Sequence, residues 1–161
     1  MTTKLKGTIE SCTCKYCVGA CEHNPGWMTP EEATCAIDAG YAQRLMADWL
    51  EPSAECNNDE RIIVLCPASI GCEGCAGPEM EGGFMAAFTG WCKGRCTFLK
   101  KGLCEIHTTP FKPLQCRETL VCSKKDNNAA SNNYQIARLW QTPEALVAVA
   151  RWQKITDADM P

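Results

Sequence analysis

Cys12-Thr13-Cys14-Lys15-Tyr16-Cys17-Val18-Gly19-Ala20-Cys21 sets four sulfurs on one short segment. Thiols so close along a backbone converge on a point with little loop-closure entropy to overcome. Thiolates are strong ligands for soft and borderline metals, so this spacing is what a zinc or iron–sulfur site needs. The segment therefore predicts a small, irregular, metal-stabilised α+β fold with several helices and little sheet. Working outward, a second array follows: Cys72-x-x-Cys75, Cys92-x-x-x-Cys96, Cys104 and Cys116. Ten of the 14 cysteines fall into such short-range groups, which makes metal binding the first expectation.

A chain of 161 residues is read as a single cysteine-rich domain over 1–161, long enough to bury a core. Its cysteine clusters span 12–122, and helices over 134–155 are expected to pack on them. A net charge of −3 gives no electrostatic case for nucleic acid or for an anionic membrane surface. No run of ~18 apolar residues is present, so no membrane span is expected. Residues 1–10 lack the apolar core of a secretory signal, which points to the cytoplasm. Seven disulfides are the competing use of the cysteines. Disulfide frameworks, however, belong to oxidising compartments and usually to smaller, loop-rich domains. Neighbours such as Cys12 and Cys14 also suit one metal better than bridges to distant segments.

Along the chain, residues 12–26 read as a cysteine loop closing at the Asn24-Pro25-Gly26 turn. Thr29-Pro30-Glu31-Glu32 is a helix start, with Thr29 as N-cap, Pro30 first and Glu32 completing a capping box. Ala33, Ile37, Tyr41, Leu45 and Trp49 recur every four residues, predicting one helix with a buried face. It should end near Glu51, because Pro52 disfavours helical geometry in the residue before it. Asn57-Asn58-Asp59 reads as a loop and Arg61-Ile62-Ile63-Val64-Leu65 as a short strand or buried extended segment. From Cys66 to Gly94 glycine is frequent, and the interleaved cysteines make this a ligand loop. Residues 91–122 are short and turn-rich, and Lys124–Asn133 is a polar linker. Two helices close the chain, one burying Ile136, Leu139 and Trp140. The other is capped at Thr142-Pro143-Glu144 and buries Leu146, Val149 and Ala150.

The run Cys12 to Cys21 is close to a bacterial ferredoxin run, but its first spacing is shorter, Glu22 replaces proline and no matching run follows. A closed four-cysteine zinc site is the default structural use. The pairs Cys72/Cys75 and Cys92/Cys96 can each give two ligands to one ion, and Cys104 and Cys116 can join either site. Lys15, Lys93, Arg95, Lys100, Lys101 and Arg117 lie beside these cysteines and can offset thiolate charge. His107, in Cys104-Glu105-Ile106-His107, has a spacing that can share a metal with Cys104. The candidate ligands are thus Cys12, Cys14, Cys17, Cys21, Cys72, Cys75, Cys92, Cys96, Cys104, His107 and Cys116. Cys35 is expected as a small buried hydrophobe; Cys56 and Cys66 stand alone.

Cys96-Thr97-Phe98-Leu99 through Gly102-Leu103-Cys104-Glu105-Ile106-His107, then Lys112-Pro113-Leu114-Gln115-Cys116-Arg117, resembles the YkgJ-type cysteine-cluster family. That family is described as a zinc- or iron-chelating domain, with a pattern C-x-F-L, then G-x-C-x-I-Y/H, then R/K-P-x-x-C-R. Cys14-x-x-Cys17-x-x-x-Cys21 is similar to its N-terminal cluster, which commonly ends in two adjacent cysteines; here Glu22 follows Cys21. The resemblance covers residues 12–117 and implies chelation, with no implied reaction.

Two functions follow. The first is a metal-binding protein whose zinc, iron or iron–sulfur centre has a structural or metal-handling role. The second is an iron or iron–sulfur redox enzyme or electron-transfer protein. An all-thiolate site usually stays closed, which favours the first.

Overall fold

The computed structural model describes residues 14–23, 25–50, 62–70, 79–80, 84–85, 94–118 and 129–157. Cys12, Cys56, Cys72, Cys75, Cys92 and Cys122 lie outside the described residues, as do the expected loop at Asn57–Asp59 and most of the glycine-rich segment. The fold is a small α+β arrangement with several helices and little sheet, in agreement with the sequence.

Helix α1 spans Lys15–His23, where a loop was expected. Nothing within it breaks a helix until Pro25, two residues past its end. Helix α2 spans Pro30–Asp38 and begins as predicted. Thr29 Oγ1 accepts from the Glu32 amide at 3.2 Å, and Glu32 Oε2 accepts from the Thr29 amide at 2.8 Å. The expected continuation to Glu51 is overturned. Gly40 adopts φ +87°, the Tyr41 amide donates to Ala36 O at 2.9 Å and the Gly40 amide to Ile37 O at 3.0 Å. This paired closure around a left-handed glycine ends a helix. A short 3-10 turn, Ala42–Arg44, leads into strand β1, Leu45–Leu50.

Strand β2, Ile62–Pro67, covers Ile62–Leu65 of the expected strand, Arg61 lying outside the described residues, and pairs antiparallel with β1, Leu45 opposite Pro67 and Leu50 opposite Ile62. The pair is buried on both sides. Buried Asp48 accepts from Trp27 Nε1 at 2.7 Å and from the Trp49 amide at 2.9 Å, which satisfies both its oxygens. Four two-residue strands, β3 (Ser69–Ile70), β4 (Glu79–Met80), β5 (Phe84–Met85) and β6 (Arg95–Cys96), form a second sheet in the order β4-β5-β3-β6. Strands β7 (Leu99–Lys100) and β8 (Leu103–Cys104) make a hairpin. Its turn residues Lys101 and Gly102 have φ +51° and +76°, the left-handed pair that two-residue hairpins favour.

Helix α3 is the short Leu114–Glu118, α4 is Ala129–Trp140 and α5 is Pro143–Thr156. The linker expected to run to Asn133 is therefore helical from Ala129. On α4 Ile136 and Trp140 are buried as expected, whereas Leu139 is exposed. Thr142 caps α5 as expected and Val149 packs against the core, but the rest of the predicted face is corrected: Ala145, Ala148 and Trp152 are buried, while Ala150 is exposed and Leu146 is 70% exposed. Two alanines let α5 approach α2 closely, and Trp152 then reaches Ala42 O at 3.1 Å and Leu45 O at 3.3 Å. Trp140 Nε1 donates to Met28 O at 2.7 Å. The main core joins Met28, Ala33, Leu45, Leu65, Phe98, Ile106, Ile136 and Trp152, and a smaller cluster joins Met46, Cys66 and Ala68. Among the described residues, no helix is long and apolar enough to cross a membrane.

Candidate metal centre

Cys17 and Cys21 are four residues apart on α1, hence on one face of the helix, and Cys14 O accepts the Val18 amide at its start. Helix α1 packs on β6, which carries Cys96. Cys104 lies on β8 and Cys116 on α3. Four separate elements thus bring Cys21, Cys96, Cys104 and Cys116 into one neighbourhood: Cys21 feels Cys104, Cys96 feels Cys21 and Cys104, and Cys116 feels all three. Burial pushes the Cys21 thiol up, with Cys104 adding to the effect. Cys96 is pushed up to about 12, chiefly by burial; the Phe98 amide opposes this, while Cys21 and Cys104 reinforce it. Burial also raises Cys116, reinforced by Cys21, Cys96 and Cys104. Cys104 is raised by burial against the Ile106 amide and Lys112.

These four are free thiols, and the upward shifts keep them protonated at neutral pH. Among the described residues, no three His, Cys, Asp or Glu side chains stand close enough together to hold an ion as placed. Protonated sulfurs have no mutual attraction; drawing them to Zn–S bonds of ~2.3 Å requires losing those protons. The donor set itself, four cysteines, is what zinc or an iron–sulfur cluster takes.

The scaffold around the sulfurs is specific. Cys116 Sγ lies against Gly26, where an added Cβ would overlap it, so only glycine fits there. The Trp27 amide donates to Gln115 Oε1 at 2.9 Å. Glu32, buried on α2, holds α3: its Oε2 accepts the Leu114 amide at 2.9 Å and its Oε1 pairs with Arg117. Burial pushes the Glu32 carboxyl up, and the Thr29 amide, Arg117 and the Leu114 amide pull it back. Arg44 ties the 3-10 turn to the Cys96–Cys104 region. It donates to Thr97 O at 2.6 Å and Glu105 Oε2 at 2.7 Å, with its guanidinium 4.1 Å from the Phe98 ring centre.

Cys21 was read with the N-terminal run, but the fold sets it with the second array. The helical phase of α1 was the missing signal. His107 Nδ1 lies 2.6 Å from Lys112 Nζ. Of the basic residues singled out in the sequence, Arg117 pairs with Glu32 and Lys100 with Glu105 at 2.9 Å. Lys112, adjoining the Pro113 of the family-like block, reaches the Cys21, Cys104 and Cys116 thiols, and Arg44 reaches Cys96. The sequence alone does not single out Glu32, Gly26 or Lys112 as site residues. Cys35 is half-buried on α2, packed against the core, and Cys66 is fully buried on β2. No protein-family model matches the chain, and neither a curated protein nor a solved structure does.

Proposed function

We propose that the chain is a YkgJ-like, cytoplasmic metal-binding protein that holds zinc or iron through Cys21, Cys96, Cys104 and Cys116, in a structural or metal-handling role. The observation that carries this reading is the gathering of four thiols from α1, β6, β8 and α3 within reach of one another's charge. With four thiolates the metal is coordinatively closed and acts by cross-linking those elements. Glu32 and Arg44 hold the ligand-bearing segments, and Gly26 leaves the space that Cys116 Sγ fills. The test is the metal content of protein purified without oxygen, by elemental analysis. About one zinc, or iron with visible charge-transfer absorption, is expected, and Cys21→Ser, Cys96→Ser, Cys104→Ser and Cys116→Ser should each lose it. Metal-free protein with intact thiols that also binds no added Zn²⁺ or Fe²⁺ would overturn the reading.

A further inference from the structure

Lys112 is only 8% exposed, and lysine is almost never so buried without a partner for its charge. Among the described residues its ammonium meets no carboxylate: the ion pairs there are Arg44 and Lys100 with Glu105, Arg117 with Glu32 and Arg151 with Asp38. Its hydrogen-bond partner is His107 Nδ1 at 2.6 Å. What its charge does reach is Cys21, Cys104 and Cys116.

The hydrogen bond constrains the imidazole. An ammonium has donors only, so toward a charged Lys112 the Nδ1 atom acts as acceptor and the imidazole N–H is the one on Nε2. A metal on Nδ1 would have to displace Lys112, and a metal on Nε2 with Nδ1 still accepting would require a fully deprotonated ring. His107 Nδ1 is therefore occupied by the lysine. A buried cation next to neutral thiols lacks compensation. Next to a divalent ion held by four thiolates, which carries excess negative charge, it is compensated.

Resting on the proposed function, we infer that Lys112 is the built-in countercharge of an anionic, all-thiolate metal centre and that His107 orients this ammonium instead of ligating. The site then takes a divalent ion or an iron–sulfur cluster with four cysteine ligands, not a mixed cysteine–histidine site.

The test is an anaerobic titration of the reduced full chain with Co²⁺ against a competing chelator, read by thiolate-to-cobalt charge transfer and by the ligand-field bands. Lys112→Met removes the charge, Lys112→Gln removes it while keeping a donor for His107, and Lys112→Arg keeps it. Loss of an outer-shell partner typically weakens metal binding by about 10–100-fold, which is expected for Met and Gln at unchanged charge-transfer intensity per cobalt. Arg should stay near wild type, and His107→Asn should leave the ligand-field bands unmoved. The comparison uses whichever neutral variant keeps the wild-type far-UV circular dichroism of the full chain. The inference is overturned if that variant binds like wild type, if Arg is weakened as much as Met, or if His107→Asn shifts the bands. A wild-type chain that develops no thiolate band sinks the proposed function itself, a result distinct from wild-type binding with indifferent variants.

Discussion

Cys116 depends on a residue ninety positions away, because its sulfur occupies the space beside Gly26 that any side chain would fill. Gly26→Ala should push α3 outward, at about 1–3 kcal/mol for overpacking a fitted site, and weaken Co²⁺ binding. Thermal unfolding and cobalt titration check both, and a variant with wild-type stability and affinity would contradict this account. Cys35→Ala is the contrast: Cys35 is half-buried outside the four-thiol group, so it should cost ~1 kcal/mol and keep the metal. The raised thiols set the pH behaviour. Cys96 goes from an ordinary 9.0 to about 12, so between those values the folded metal-free chain keeps a proton that the unfolded chain gives up. Its contribution to metal-free stability is complete below that window and is lost as pH rises through it. Metal binding has the opposite sign, since it expels the protons: affinity should rise with pH. Calorimetry in buffers of different ionisation enthalpy should detect proton release on Co²⁺ loading. Uptake, or no change, would mean that the ligands are not these thiols.

Helix α2 shows how one local signal acquires a long-range task. The capping box was legible from Thr29 and Glu32 because its atoms are three residues apart, whereas the grip of Glu32 on Leu114 and Arg117 spans more than eighty positions and leaves no local trace. Glu32→Ala leaves Thr29 as N-cap but removes the returning half of the capping box and orphans the Thr29 and Leu114 amides. A loss of about 2–4 kcal/mol is expected in denaturant unfolding, from the lost hydrogen bonds of two amides and the unpaired Arg117. Arg117→Lys should lose much less, because Glu32 keeps its amide donors. Equal losses would place the energy in the ion pair alone. The misread end of α2 has an equally physical cause. Four-residue spacing at Tyr41, Leu45 and Trp49 mimics a helix face, but in β1 Leu45 and Trp49 share a face by the strand's own period of two. Gly40 was the deciding residue. At φ +87°, Gly40→Ala should cost about 1 kcal/mol through strain alone, since its surroundings are open; a neutral result would mean that the helix end is set elsewhere.

Across the whole molecule two kinds of cohesion meet, and they should separate when the metal is removed. The four thiols were visible in the sequence as cysteines, but not as one group, because grouping them needs the α1–β6 packing and the α3 position that only distant contacts supply. The helices α4 and α5 were visible from caps and periodicity, and their hold is apolar: Ile136, Trp140, Ala145, Ala148 and Trp152 are buried against α2, β1 and β2. Helix α1 differs: among the described residues it has no buried residue and meets the core through half-buried Val18 and Cys21. Its attachment therefore rests largely on sulfur. Complete chelation should free α1 and α3 first, because binding free energy there is also docking free energy, while apolar burial keeps β1, β2 and α5 in place. Hydrogen exchange with and without chelator reads this directly: amides of Lys15–His23 and Leu114–Glu118 should lose protection, and those of Leu45–Leu50 and Ala145–Trp152 should keep theirs. If α5 exchanges as fast as α1 once the metal is gone, the metal holds the entire core and the two kinds of cohesion are one. If neither changes, sulfur contributes nothing to holding α1, and the four-thiol centre loses its structural role.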